Sequence, residues 1–343
     1  MRFDRVPGPT PDAGFLTFAG NNEAKERLSA CIDGGRLPHA LLFEGPAGCG
    51  KRTLARLTAM AAVCTGAGEG GRPCGACSGC RKAASGSHPD ILEMGGEGSA
   101  RSFHIETVRA LREDAYVLPN EAPRRVFLLA EVQNMTEQAQ NALLKILEEP
   151  PASALFLLTC ENRGQLLDTI RSRLVILTLS GLAQEEAETL LARLLPGTSP
   201  EDRRQAALLS GGVVGQALRG LTDGVYQRVQ ELVPALAAAV AAPLERPLLR
   251  LTGRLEKDRE VLPGVLAGLA LVFRDALVLR SGGSDSLSIA PGAAAELAQT
   301  LSRERLLRLL DRVRELDDAR RHNANYTLLI TRLCACLRQD AGR

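Results

Sequence analysis

The run Gly45-Pro46-Ala47-Gly48-Cys49-Gly50-Lys51 follows a short apolar segment, Ala40-Leu41-Leu42-Phe43, and precedes a helical stretch over 52–63. Its spacing, G-x-x-x-x-G-K between a strand and a helix, is that of a phosphate-binding loop. Gly45, Gly48 and Gly50 let backbone N–H groups turn inward around phosphate oxygens. The helix N-terminus adds partial positive charge and Lys51 a full one. A hydrolysing loop continues with Ser or Thr, whose hydroxyl holds Mg²⁺. Here Arg52 follows, a cation where a cation should bind. Thr53 does not replace that hydroxyl, because one step along a helix turns the side chain by about 100°.

The acidic strand carries a matching loss. After Val126-Phe127-Leu128-Leu129 an Asp should help hold the same ion, and the chain has Ala130 and then Glu131. A glutamate able to polarise water remains, but the metal has neither protein anchor. The expectation is a phosphate loop kept as a structural relic. It has no Mg²⁺ site and no meaningful hydrolysis, and ATP or ADP binding is left open.

Cys64, Cys74, Cys77 and Cys80 form a second chemical cluster, C-x9-C-x2-C-x2-C, directly after the loop's helix. Gly71, Pro73, Gly75 and Gly79 permit the tight turns that four thiolates need around one ion. Four sulfurs close a tetrahedral Zn²⁺ site and leave no position for water or substrate, so the expected zinc is structural. The ion would order a segment too polar and Gly-rich to build its own core. Cys31, Cys160, Cys334 and Cys336 have no such pattern and are expected as small buried hydrophobes.

The elements that must position these groups fall into two styles. Up to about residue 180, short apolar runs (40–43, 126–129, 154–159 and 174–177) alternate with helical segments, the pattern of a parallel sheet buried on both faces. The stretch 139–148 is an amphipathic helix stopped by Pro150-Pro151. Beyond 180 strand signals vanish. Three short helices are expected over 184–195, 201–209 and 215–221, then Leu/Ala/Arg-rich helices. Stripes at Leu306, Leu309, Leu310, Val313 and Leu316, and at Leu328, Leu329, Leu333 and Leu337, read as bundle core, with 281–288 as an exposed loop.

Composition excludes several functions. The 343 residues carry a net charge of +2, so composition alone announces no nucleic-acid binder, and any DNA contact must come from a local patch or from a ring built with partners. With no Trp and 3% aromatics, single-strand binding by base stacking is not expected. No apolar run of about 18–20 residues is evident, and the first residues lack a signal-peptide core. A cytoplasmic protein with no membrane contact is expected, in which clustered cysteines mean metal rather than disulfides.

The segments Arg36–Phe43 leading into the phosphate loop, the four-cysteine insertion, His88-Pro89-Asp90, Asn141–Lys145 with Glu148-Glu149-Pro150-Pro151, and Thr169–Arg173 together resemble the clamp-loader branch of the AAA+ family, and within it the delta-prime subunits of bacterial DNA polymerase III. The resemblance spans residues 18–180; beyond it, only helical character and Asn323-Ala-Asn-Tyr agree. It implies an α/β AAA+ domain over 1–180 with a zinc module at 64–80, a helical lid over 181–224, and an all-α collar over 225–343.

The implied partners are motor subunits and a clamp-opening subunit in a five-membered ring, the sliding clamp, and primed DNA through the complex. Such a chain is a non-motor stator. Motor subunits carry a lid arginine in a stretch like G-S-x-R, and here Gly212-Val213-Val214-Gly215 lacks it. Arg173, in Ser172-Arg173-Leu174, would be an arginine finger offered to a neighbour's ATP, with Leu in place of the family's Cys. Arg101 and Arg109 are further candidates for DNA phosphate contacts. An active motor subunit is the alternative. A zinc-dependent DNA reader is a third reading, with a thin footprint of Arg72, Arg81 and Lys82.

Overall fold

The computed structural model describes residues 14–66, 71–95, 103, 105–242, 245–284, 286–321 and 324–342. The chain divides into two compact units, Met1–Glu186 and Ala187–Arg343.

In the first unit the elements run α1 (Asn22–Asp33), β1 (Ala40–Glu44), α2 (Lys51–Ala62), α3 (Ser78–Ala84), β2 (Ile91–Met94), α4 (Ile105–Ala115), β3 (Arg125–Leu129), α5 (Glu137–Glu148), β4 (Ala154–Cys160), α6 (Asp168–Arg171) and β5 (Val175–Thr178). The strands form one parallel sheet in the order β2-β3-β4-β1-β5. Every residue of β3 and β4 is buried, as the unbroken apolar runs required of strands covered on both faces. On one face Leu42, Phe127, Leu129, Phe156 and Leu158 pack with α4 and α5, and the Phe127 and Phe156 rings stack at 5.4 Å. Helix α2 crosses the other face over β4, β3 and β1.

Strand β2 was not anticipated. Its sequence, Ile-Leu-Glu-Met, is cut by Glu93, so it shows neither a continuous apolar run nor a clean alternation. Glu93 nonetheless lies inside, 5% exposed, because two arginines from α2 meet it.

The second unit contains α7 (Gln184–Leu194, which begins just before the division), α8 (Pro200–Leu209), α9 (Val214–Thr222), α10 (Val225–Ala241), α11 (Arg246–Leu255), α12 (Leu262–Arg280), α13 (Pro291–Thr300), α14 (Arg303–Arg321) and α15 (Tyr326–Asp340). Among the described residues it has no strand. Helix α12 is the hub, packed on α10, α13 and α14. Gly264 and Gly268 let α10 approach it closely: a Cβ at either would stand 2.7 or 2.6 Å from a methyl of Val229 or Val233.

Three details depart from expectation. By length and composition α12 is apolar enough to cross a membrane, which the sequence reading overlooked because Arg274 and Asp275 interrupt the run. Leu328 is 68% exposed, and the buried stripe of α15 is Leu329, Ile330, Leu333 and Leu337. The loop after α12 is exposed at 281–284 but buried at Ser288, because Asp275 ties it down.

Candidate functional site

The C-terminal ends of β1, β3 and β4 share one edge of the sheet, where parallel α/β folds place their ligands. The phosphate loop leaves β1 there. Gly45, Gly48 and Gly50 have φ of 156°, 86° and 94°, a region closed to most side chains. Space forbids side chains as well: a Cβ at Gly45 would lie 2.4 Å from the Leu179 carbonyl oxygen, and one at Gly50 would lie 2.9 Å from the Phe18 ring. Lys51 opens α2 and is 8% exposed. Its Nζ donates to the carbonyls of Gly45 (2.7 Å) and Pro46 (2.9 Å), so the loop holds its own cation.

Arg52 turns toward β2 and pairs with Glu93. Arg56, one turn on, donates to the same carboxylate through Nε (3.0 Å) and Nη2 (3.1 Å). Two guanidinium groups thus share one buried carboxylate beside the position where a hydrolysing loop keeps its metal-binding hydroxyl. Thr53 is exposed, in keeping with its different helical direction. At the end of β3, Ala130 is 1% exposed and offers only a methyl group. Glu131 takes a left-handed φ of 60°. Its N–H donates to Thr159 Oγ1 (3.0 Å), and its Oε2 accepts from Asn134 Nδ2 (3.2 Å). Burial pushes the Cys49 thiol, inside the loop, above its ordinary value.

The four cysteines converge so that their sulfurs lie within 4.8 Å of one another. Two pairs, Cys74–Cys80 and Cys64–Cys77, stand 3.9 Å apart. Sulfurs held about 2.3 Å from a tetrahedral zinc are separated by about 3.8 Å, so the donor set fits that ion. Backbone N–H groups of Cys74, Cys77 and Cys80 point at the sulfurs of Cys64, Cys74 and Cys77, at 3.5, 3.4 and 3.4 Å. Burial opposes the Cys77 thiolate, but donation from the Cys80 and Thr65 backbone outweighs it and brings the thiol down to about 5. The same sulfur caps α3 at its N-terminus. Cys160 is buried, whereas Cys31, Cys334 and Cys336 are only half-buried, a correction to their expected burial.

Arg173 lies between α6 and β5, far along the chain from the loop. Its Nη2 pairs with Glu148 Oε1 at 2.8 Å. Its Nη1 donates to the Thr169 carbonyl (2.7 Å) and Ser172 Oγ (3.3 Å). Arg109 is exposed on α4, while Arg101 and Asn323 lie outside the described residues. Gly212 and Val213 lead into α9, which Val214 and Gly215 open.

A model of the family described as DNA polymerase III, delta subunit, matches residues 20–183. The delta' subunit of DNA polymerase III from Escherichia coli (strain K12) is 32% identical over 287 residues, covering 83% of this chain and 84% of that one. This chain belongs to the delta' family of DNA polymerase III subunits. The delta' subunit of Bacillus subtilis (strain 168) is 34% identical over 203 residues, 58% of this chain and 60% of its own. DNA polymerase III subunit gamma/tau of Mycobacterium tuberculosis (strain ATCC 25618 / H37Rv) is 35% identical over 182 residues, 53% of this chain. The chain spans only 31% of that relative's length.

Within this delta'-family chain the sequence reading missed Glu93 and Thr159. Thr159 ends an apolar run and looked like strand filler, although a hydroxyl at the end of a parallel strand is a polar group at the site's edge. Glu93 was hidden by the failure to read β2. Asp90, which the sequence marks only as part of His88-Pro89-Asp90, is fully buried and closes a loop.

Proposed function

We propose that this delta'-family protein is a non-motor, stator subunit of the sliding-clamp loader in DNA replication, working in the cytoplasm. It would join motor subunits and a clamp-opening subunit in a five-membered ring. That ring places the clamp on primed DNA, and DNA synthesis belongs to the polymerase complex as a whole. Residues 1–180 would form the nucleotide-binding-like domain, 181–224 the lid and 225–343 the collar that joins the ring. Zinc on Cys64, Cys74, Cys77 and Cys80 would brace the first domain.

One observation carries the stator reading: the guanidinium of Arg52 stands where magnesium needs a hydroxyl and is tied to buried Glu93. Ala130 removes the second anchor, and Lys51 is turned onto its own loop. A magnesium-bridged triphosphate would have to break the Lys51 contacts and lie beside an extra cation. Arg173 would act on the neighbour's nucleotide instead, neutralising charge that develops on the transferred phosphoryl group.

The alternative, an active motor, is favoured by Glu131 and by the intact glycines with Lys51. A steady-state ATPase assay on the purified chain separates the two. The stator reading expects magnesium-dependent turnover below about 0.1 per second, under the range typical of such enzymes. Faster turnover that disappears in Lys51→Ala would establish the motor.

A further inference from the structure

Besides Arg173, its partner draws attention. Glu148 is the last residue of α5, and Glu149 follows it at the cap. Two carboxylates at a helix C-terminus oppose the helix dipole, so α5 gains nothing from them as a helix. Glu148 instead reaches the Arg173 guanidinium at 2.8 Å, across the packed pair α5 and α6. Asp168 and Arg171 of α6 pair with each other, so a separate couple takes up the neighbouring charges.

We infer that Glu148 is a positioning residue for Arg173, holding its guanidinium ready for the nucleotide of an adjoining subunit. This rests on the finger role proposed above. An arginine side chain is long and loses much rotamer freedom when it is fixed. Here Glu148, the Thr169 carbonyl and Ser172 Oγ fix it in advance. Of its five N–H groups these partners take three, one on Nη2 and two on Nη1. The Nε–H and the second N–H of Nη2 remain for phosphate oxygens. The two side chains are 35% and 46% exposed. A pair so open to water orders the cation without trapping it. Groups aligned before the reaction need no reorganisation at its transition state.

The test is steady-state ATP hydrolysis by the complete loader, assembled with clamp and primed DNA. It compares the normal chain with Arg173→Ala, Glu148→Gln and the double variant, after gel filtration has checked assembly. Glu148→Gln should lower kcat by about two- to fivefold, the scale of losing a surface ion pair, with KM for ATP unchanged. It should add no loss to Arg173→Ala, and Glu149→Gln should behave normally. Should Glu148→Gln weaken assembly, Glu148→Asp gives the same comparison, with kcat between the two. Unchanged kcat in Glu148→Gln beside a slow Arg173→Ala overturns the positioning role and leaves the finger standing. A full, independent loss in the double variant assigns Glu148 a purely structural part and also overturns it. An Arg173→Ala complex with normal kcat removes the finger itself.

Discussion

Asp90 and Asp275 are each fully buried, one in either unit, and each closes a loop through charge-assisted hydrogen bonds. Asp90 accepts from the backbone N–H groups of Asn120 (2.6 Å), Glu121 (2.8 Å) and Ala122 (3.0 Å). Asp275 accepts from Ser288 N (2.7 Å), Leu287 N (2.8 Å), Ser286 Oγ (2.9 Å) and Arg274 Nη1 (2.8 Å). Burial alone would raise the Asp275 carboxyl, but these donors outweigh it and hold the group below the ordinary carboxylate value. Its folded pKa is therefore lower than its unfolded one. The resulting stability is complete above the unfolded pKa, near 4, and is lost as pH falls through the folded value. Asp275→Asn should cost about 2–4 kcal/mol at pH 7, and clearly less at pH 3, in urea unfolding curves. An equal cost at both pH values would contradict an ionised Asp275. Neither loop closure was legible in the sequence: an aspartate in an apolar helix announces burial with partners, but not which distant N–H groups supply them.

Helix α3 and its preceding turns hold almost no apolar core of their own. Met60, Cys64 and Cys80 form a small buried cluster, with Cys74, Cys77 and Ala83 against it. An element so poor in core is one that a metal held by these four cysteines would order. The purified chain should carry about one zinc, measured by atomic absorption, as expected of a four-thiolate site. Removing the metal with a chelator should open residues 64–80 to proteolysis, while far-UV circular dichroism shows the sheet and the helices retained. A protein that resists protease equally with and without chelator would argue against a structural ion. The spacing of the four cysteines made this element legible, because short loops can bring their sulfurs to one point. Strand β2 was not legible. Its buried carboxylate is tolerated only because Arg52 and Arg56 reach it from α2, a tertiary circumstance that no local pattern encodes.

Taken as a whole, the molecule is nearly neutral, with a net charge of +2 and 8 Phe, 3 Tyr and no Trp. Isolated DNA binding relies chiefly on a surplus of cations against phosphate. Many of the arginines are already engaged with carboxylates, among them Arg228 with Asp258, Arg312 with Glu315 and Arg338 with Glu245. The lone chain should therefore bind primed DNA more weakly than about 1 µM at physiological salt, as read by fluorescence anisotropy. Tight, salt-sensitive binding by the lone chain would instead revive a DNA-reading role for the cysteine module.

The sequence by itself determined four strands of the parallel sheet, the helical second half, the strand–glycine loop–helix around Lys51, and the grouping of four cysteines. These follow from local causes: runs and periods of apolar residues, glycine at strained turns, and ligand spacing over a few residues. Only the tertiary structure decided where Arg52 sends its charge, that Lys51 folds onto its own loop, that Asp275 pins a segment beyond its helix, and that Glu148 meets Arg173. Each of these joins groups between 5 and 41 residues apart. Contact at such separations depends on how helices and strands pack, and one-dimensional spacing carries no term for that.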